Sequence, residues 1–105
     1  MTEVRYLQRG EVVRISVNGH AMFNPGNDIV CAGVSAITYQ LLAVVSKLDS
    51  DGLVYDVTAD IHDGSVIVQF DLAPETFDTW DTMWSVIKTG YENIAERYPE
   101  NVCLV

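Results

Sequence analysis

Residues 19–36, GHAMFNPGNDIVCAGVSA, join the end of a predicted strand to the start of a long predicted helix. The segment opens with a Gly-His pair, continues through a loop that contains a Pro-Gly pair, and reaches Asp28. Aspartate is a favoured N-cap residue, because its carboxylate accepts hydrogen bonds from backbone N–H groups two or three residues later. The segment therefore predicts a strand, a short loop and a helix that begins directly after Asp28.

Cys31 falls at about the third position of this predicted helix. The first turn of a helix carries unpaired N–H groups and the positive end of the helix dipole, which favour a thiolate over a thiol. The thiolate is the nucleophilic form, and a nearby histidine could exchange its proton. His20, one of only two histidines in the chain, lies at the other end of the loop and is the candidate base.

Spacing alone leaves a second interpretation of these two residues open. Free cysteines are among the most buried residues, so Cys31 could be a small core residue of the helix. His20 would then be an ordinary histidine at the end of a strand. One cysteine and one histidine in a chain indicate catalysis only when they meet in the fold.

Two predicted hairpins flank the helix. Residues 3–8 and 11–18 alternate in polarity around a turn at residues 9–10, with Val4 expected opposite Ile15. Residues 53–62 and 65–72 alternate around Asp63-Gly64, a strong hairpin signal, with Tyr55 expected opposite Leu72. Each hairpin has one apolar face, which is typical of strands that lie on a core.

The other face of the second hairpin is largely polar. It places Asp56 opposite Asp71, near Asp60 and His62, an unfavourable arrangement unless a cation lies there. Too few further ligands converge on this face to favour a metal site, so we expect no metal and interpret it as a solvated edge. His62 is interpreted as a residue that flanks the turn.

Two predicted helices carry the remaining apolar residues. From Ile29 to about Leu48 these residues cover nearly all sides, so we expect a central helix buried on most faces, against the sheet and against a partner subunit. A second helix opens at residues 73–76 and ends before Pro99. Its apolar residues recur at steps of three and four, which predicts packing on the sheet: Phe77, Trp80, Trp84, Ile87, Tyr91, Ile94 and Tyr98.

These elements predict an α+β fold of order ββαββα, with a possible short last strand over residues 101–105. Two helices would cover one side of a mostly antiparallel sheet. The length of 105 residues suits a single domain, 1–105. We identify no 18-residue apolar run free of charge and no signal peptide, so we expect a cytoplasmic protein whose two cysteines are free.

The net charge of −9 argues against direct binding of nucleic acid, because it repels the phosphate backbone. It suits a basic partner, although acidic composition also serves solubility.

Residues 19–21 and 26–36 resemble the signature of the ribosomal-processing cysteine proteases, the Prp family of small bacterial proteins. The resemblance implies a His-Cys catalytic dyad at His20 and Cys31, with Gly19, Asp28 and Ser35 at supporting or substrate-binding positions. It also implies a homodimer that removes a short N-terminal extension from large-subunit ribosomal protein twenty-seven, a basic precursor. The loop between the dyad residues is shorter and poorer in glycine than is usual in that family.

A dyad of this kind needs no cofactor. Cys31 would attack the scissile carbonyl, His20 would transfer the proton, and N–H groups at the helix start would stabilise the oxyanion. The sequence does not identify a third residue that orients His20; Asn18, Asp28 and Ser35 are candidates because they are near in sequence. Two other functions remain open from the sequence: a non-enzymatic ribosome-associated domain, and another thiol acyl-transfer enzyme such as a small thioesterase.

Overall fold

The structure is a computed structural model that describes all of residues 1–105. Five strands and two long helices follow one another in the predicted order, with one short 3₁₀ turn at Pro74–Thr76 before the second helix. The elements are β1 (Thr2–Arg9), β2 (Val12–Asn18), α1 (Ile29–Ser50), β3 (Val54–His62), β4 (Ser65–Leu72), α2 (Phe77–Arg97) and β5 (Val102–Leu104).

The strands form one sheet in the order β3-β4-β2-β1-β5. All neighbouring pairs are antiparallel except β1 and β5, which run parallel. Both helices pack on the face whose apolar residues come from every second position of the strands, and the core between them is continuous. The predicted α+β fold is therefore confirmed, including the short last strand.

The register of the first hairpin differs from the prediction by two residues. Arg9 pairs with Val12, so the turn lies at residues 10–11, and Val4 faces Val17 rather than Ile15. A shift of two residues leaves every side chain on its original face, because side chains alternate with period two. The predicted apolar face is therefore correct although its pairing is wrong.

The second hairpin matches the prediction from its turn as far as Thr58. A register shift between Tyr55 and Thr58 then adds a residue to β3, and Asp56 takes a positive φ of 53°. Tyr55 consequently pairs with Asp71, and the predicted pairings of Tyr55 with Leu72 and of Asp56 with Asp71 are wrong. The bulge turns Val54 into the core and Tyr55 toward solvent.

Helix α1 buries only one stripe within the chain, so the prediction of burial on most faces is wrong for the single chain. The buried residues are Val30, Val34, Thr38, Leu41, Val45 and Leu48. Tyr39 and Ile29 are 69% and 62% exposed on the opposite side.

The expectation that the chain has no 18-residue apolar run free of charge is wrong, because α1 contains one. Residues 29–46 contain no charged side chain, and α1 is long and apolar enough to cross a membrane by length and composition alone. Core helices of soluble proteins pass the same test, and the buried stripe of α1 packs against the sheet.

Helix α2 carries the predicted aromatic stripe. Trp80, Ile87 and Tyr91 are fully or nearly fully buried, and the other members of the stripe pack against the same core. The Tyr91 hydroxyl lies 2.8 Å from the Thr38 hydroxyl, which links α2 to α1 inside the core. The predicted packing of this helix on the sheet is confirmed.

Candidate active site

Asp28 holds the start of α1 as the sequence predicts. Its Oδ1 accepts hydrogen bonds from the N–H groups of Val30 and Cys31, both at 2.9 Å. Its Oδ2 accepts from the N–H groups of Phe23 at 2.9 Å and Asn24 at 3.2 Å. These hydrogen bonds lower the pKa of Asp28 below its usual value, and the bond from the Cys31 N–H contributes most. The carboxylate thus fastens the loop to the helix.

Cys31 lies half-buried in the first turn, and its Sγ accepts a hydrogen bond from the Ala21 N–H at 3.5 Å. Two N–H groups of the helix start, those of Val30 and Cys31, are bound to the ionised Asp28. The negative charge of Asp28 offsets part of the helix dipole, which weakens the stabilisation that the helix start gives a thiolate. The Ala21 N–H supplies a second stabilising contact to the sulfur. Sequence reasoning did not anticipate it.

His20 is held in place through its backbone and its neighbour. The amino group of Met1 donates to the His20 carbonyl at 2.7 Å, and the Gly19 N–H donates to the Gly64 carbonyl at 2.8 Å. Gly19 has a φ of +96°, and a Cβ there would collide with the carbonyl oxygen of Met1. The close approach of the Met1 carbonyl and the positive φ therefore require a glycine at position 19.

A cavity of about 470 Å³ is lined by both His20 and Cys31. One wall is the face of α1 that runs from Cys31 to Leu42, and the other is the turn over residues 61–65. Both candidate catalytic residues line this cavity, on the side of the sheet that α1 covers. Ser35 also lines it.

The loop between His20 and Cys31 is fastened to the end of the chain. The Asn101 side-chain amide donates to the Ala21 carbonyl at 2.8 Å. The Phe23 ring contacts the Tyr98 ring edge to face at 5.1 Å. Ala21 is consequently fixed through both its N–H, which bonds the Cys31 sulfur, and its carbonyl. Nothing in the local sequence signals these partners, because they lie at the opposite end of the chain.

None of the three residues considered for orienting His20 bonds its imidazole. Asp28 is engaged by four backbone N–H groups, and Asn18 accepts a hydrogen bond from the Ser65 hydroxyl at 2.8 Å. Ser35 lines the cavity from α1.

The polar face of the second hairpin contains one close pair. His62 Nε2 lies 2.7 Å from Asp60 Oδ1, and both side chains are exposed. His62 flanks the turn as the sequence predicts, and it also borders the cavity.

Comparison with known families gives one match to this chain. The family model described as cysteine protease Prp matches residues 1–103. None of the curated protein sequences matches significantly.

Solved structures share the fold over nearly the whole chain. The ribosomal processing protease Prp from S. aureus, in complex with a covalently linked product peptide, is 24% identical with a TM-score of 0.69 and covers 99% of this chain and 97% of that chain. SMU.848 from Streptococcus mutans is 25% identical with a TM-score of 0.67 and covers 99% of this chain and 91% of that chain. The S. aureus protease in complex with a substrate peptide is 22% identical with a TM-score of 0.63, covering 99% and 95%.

Proposed function

The chain belongs to the cysteine protease Prp family, and from that premise we propose that it is an endopeptidase whose catalytic dyad is Cys31 and His20. The observation that carries the assignment is that both side chains line one cavity, with Cys31 in the first turn of α1. The chain has only one other cysteine, Cys103, on the edge strand β5. The family is one of proteases, which favours this function over a non-enzymatic domain.

In the proposed reaction Cys31 Sγ attacks the scissile carbonyl and His20 accepts the thiol proton. A thioester forms, the C–N bond breaks, and His20 returns the proton to the leaving amine. Water then hydrolyses the thioester and regenerates the thiol. We assign stabilisation of the oxyanion to the Ala21 N–H, because it already points at the reacting sulfur, whereas Asp28 holds the N–H groups of Val30 and Cys31.

We propose that the substrate is the precursor of large-subunit ribosomal protein twenty-seven, from which an N-terminal extension is removed. The structural relatives include a ribosomal processing protease with a bound substrate peptide. The net charge of −9 attracts a basic precursor over distances of about a Debye length. With this substrate, we propose that the protein acts in the bacterial cytoplasm.

We further propose that the chain acts as a homodimer through the exposed side of α1. Tyr39 and Ile29 are the large apolar residues on that side, and Ala32 and Ala36 lie exposed between them along the helix. Contiguous apolar surface of this kind marks association sites. Sedimentation of the wild type and of Ile29→Glu tests the proposal, because Ile29 is exposed outside the cavity and a charge in the interface should give the monomer.

The decisive experiment measures cleavage of an extended ribosomal protein twenty-seven by the wild type, Cys31→Ala and His20→Ala. We expect Cys31→Ala to lose activity by about 10³-fold or more, because the covalent route disappears. His20→Ala should also lose most of its activity. A peptide and a thioester of matched sequence, tested in parallel, separate proteolysis from thioesterase activity.

Cys103→Ala is the matched control, since it removes the other half-buried thiol and should leave cleavage unchanged. Thermal melts of all variants separate chemistry from folding; Ala is the best helix former, so Cys31→Ala should remain folded. Undiminished cleavage by folded Cys31→Ala would contradict the proposed mechanism.

A further inference from the structure

The His20 imidazole rests against the backbone of the β3–β4 turn at Gly64. A Cβ built on Gly64 would lie 2.7 Å from His20 Nε2 and 3.1 Å from His20 Cε1. Real Cβ atoms are essentially never closer than 3.0 Å to another heavy atom, so any residue other than glycine would displace the ring. The imidazole therefore occupies space that exists only because residue 64 has no side chain.

This contact matters because no hydrogen bond orients the ring. The imidazole makes no hydrogen bond, whereas the peptide before it is tied to the same turn by the bond from Gly19 N–H to the Gly64 carbonyl. The turn thus fixes both the backbone that leads to His20 and the position of its ring. Both lie in the cavity that contains Cys31.

We propose that Gly64 is a positioning residue for His20: its bare backbone is the surface that sets where the imidazole stands relative to Cys31. The inference rests on the proposed function, in which His20 is the base. It assigns to the Asp63-Gly64 turn a role beyond joining two strands. Proton transfer needs the base within hydrogen-bond reach, and a misplacement of about 1 Å can lower a rate by about 10²-fold.

The contact between Gly64 and His20 also predicts the relative effects of Gly64→Ala on stability and on catalysis. The atoms that a Cβ would meet belong to the end of a rotatable side chain, so the ring can swing away at little cost in stability. Its new position, however, would no longer be the one set by the turn. Gly64→Ala should therefore damage catalysis more than folding.

Gly52 provides a matched control for the backbone strain. Its φ of +73° equals that of Gly64, but a Cβ at Gly52 meets nothing within 4 Å. Alanine at either position adopts the same disfavoured conformation. The two variants consequently differ in the contact with His20 and not in the strain. Gly52 lies between α1 and β3, outside the cavity.

The test compares Gly64→Ala with Gly52→Ala in cleavage of the extended ribosomal protein. We expect similar falls in melting temperature for both variants. Gly64→Ala should lower kcat by about 10²-fold with little change in KM, whereas Gly52→Ala should keep wild-type kinetics. Asparagine at the same two positions repeats the comparison with less strain, because Asn tolerates positive φ. Equal kcat in the two folded variants would overturn the proposal.

A second readout does not depend on proteolysis. The imidazole C–H resonances of His20, assigned by their loss in His20→Ala, should shift in Gly64→Ala and stay unchanged in Gly52→Ala. The rate of Cys31 alkylation by iodoacetamide should change on Gly64→Ala in the wild-type background and not in the His20→Ala background. Unshifted His20 resonances would refute the role of Gly64, whereas full cleavage by His20→Ala would refute the dyad itself.

Discussion

The two long helices of this protein begin in opposite ways. Helix α1 begins with a side-chain cap, in which Asp28 binds four backbone N–H groups. Helix α2 has no side-chain cap: the hydroxyl of Thr76, its N-cap residue, donates instead to the Leu53 carbonyl at 2.7 Å. Its first turn is fixed by Trp80, which is fully buried against Phe70.

This difference shows how a reactive group can be kept accessible on a stable element. A helix start fixed by packing needs its first-turn side chains in the core, as Trp80 is. At the start of α1 Asp28 holds the backbone and Val30 packs in the core, so Cys31 can lie half-buried at the wall of a cavity. Capping by Asp28 thus helps to fix the first turn without requiring the sulfur to be fully buried.

The largest expected effect on stability lies at the packed start. Trp80→Ala removes a fully buried ring and the hydrogen bond from Trp80 Nε1 to the Tyr6 hydroxyl, which is 2.8 Å long. We expect a loss of about 3–5 kcal/mol in the free energy of unfolding, the usual cost of such a cavity. Denaturant unfolding is the measurement.

Val86→Ala is the control on the same helix, because Val86 is exposed. It should change stability by less than about 0.5 kcal/mol. If Trp80→Ala proved as mild as Val86→Ala, the start of α2 would not be held by packing, and the contrast with α1 would fail.

A smaller effect should separate the two thiols. Cys31 and Cys103 are both half-buried, but only Cys31 lies in a helix first turn, receives an N–H hydrogen bond and shares a cavity with a histidine. We expect Cys31 to react with iodoacetamide at neutral pH at least about tenfold faster than Cys103. Peptide mapping by mass spectrometry gives both rates in one sample.

Denaturation in urea should make the two rates similar, which shows that the fold causes the difference. Equal rates in the folded protein would mean that the polar start of α1 does not activate its cysteine.

Local sequence signals predicted much of this architecture. Asp28 as the cap, the Asp63-Gly64 turn and the stripe on α2 each depend on residues within a few positions of one another, and each is confirmed. The β3 bulge at Asp56 was not predictable in this way. A continuous alternation was the simplest interpretation, and only packing of Val54 in the core selects the extra residue.

In the candidate site, too, contacts within one segment were predictable from the sequence and contacts between distant segments were not. His20 and Cys31 stand at the ends of one short segment, so their proximity could be inferred from the sequence. Gly64 and Asn101 reach the segment from distant parts of the chain, and no periodicity or motif connects them to it. Their contacts arise because β4 pairs with β2 and β5 pairs with β1.

The smallest expected effect concerns the cap itself. Hydrogen bonds, chiefly from the Cys31 N–H, lower the pKa of Asp28 below its ordinary value of 3.8. Since the folded state favours the carboxylate, this contribution to stability is present above the unfolded pKa and is lost as the pH falls through the folded pKa. Asp28→Asn should therefore lower the melting temperature at pH 7, and the difference from the wild type should shrink below about pH 4.

Asp78→Asn tests whether this effect belongs to the cap or to any acidic residue near a helix start. Asp78 lies in the first turn of α2, exposed to solvent. Its removal should lower the melting temperature less than Asp28→Asn does, because Asp78 accepts none of the capping hydrogen bonds that Asp28 accepts. Thermal melts of the three proteins between pH 3 and pH 7 make the comparison. A pH-independent deficit in Asp28→Asn would show that the geometry of the cap, and not its charge, stabilises the start of α1.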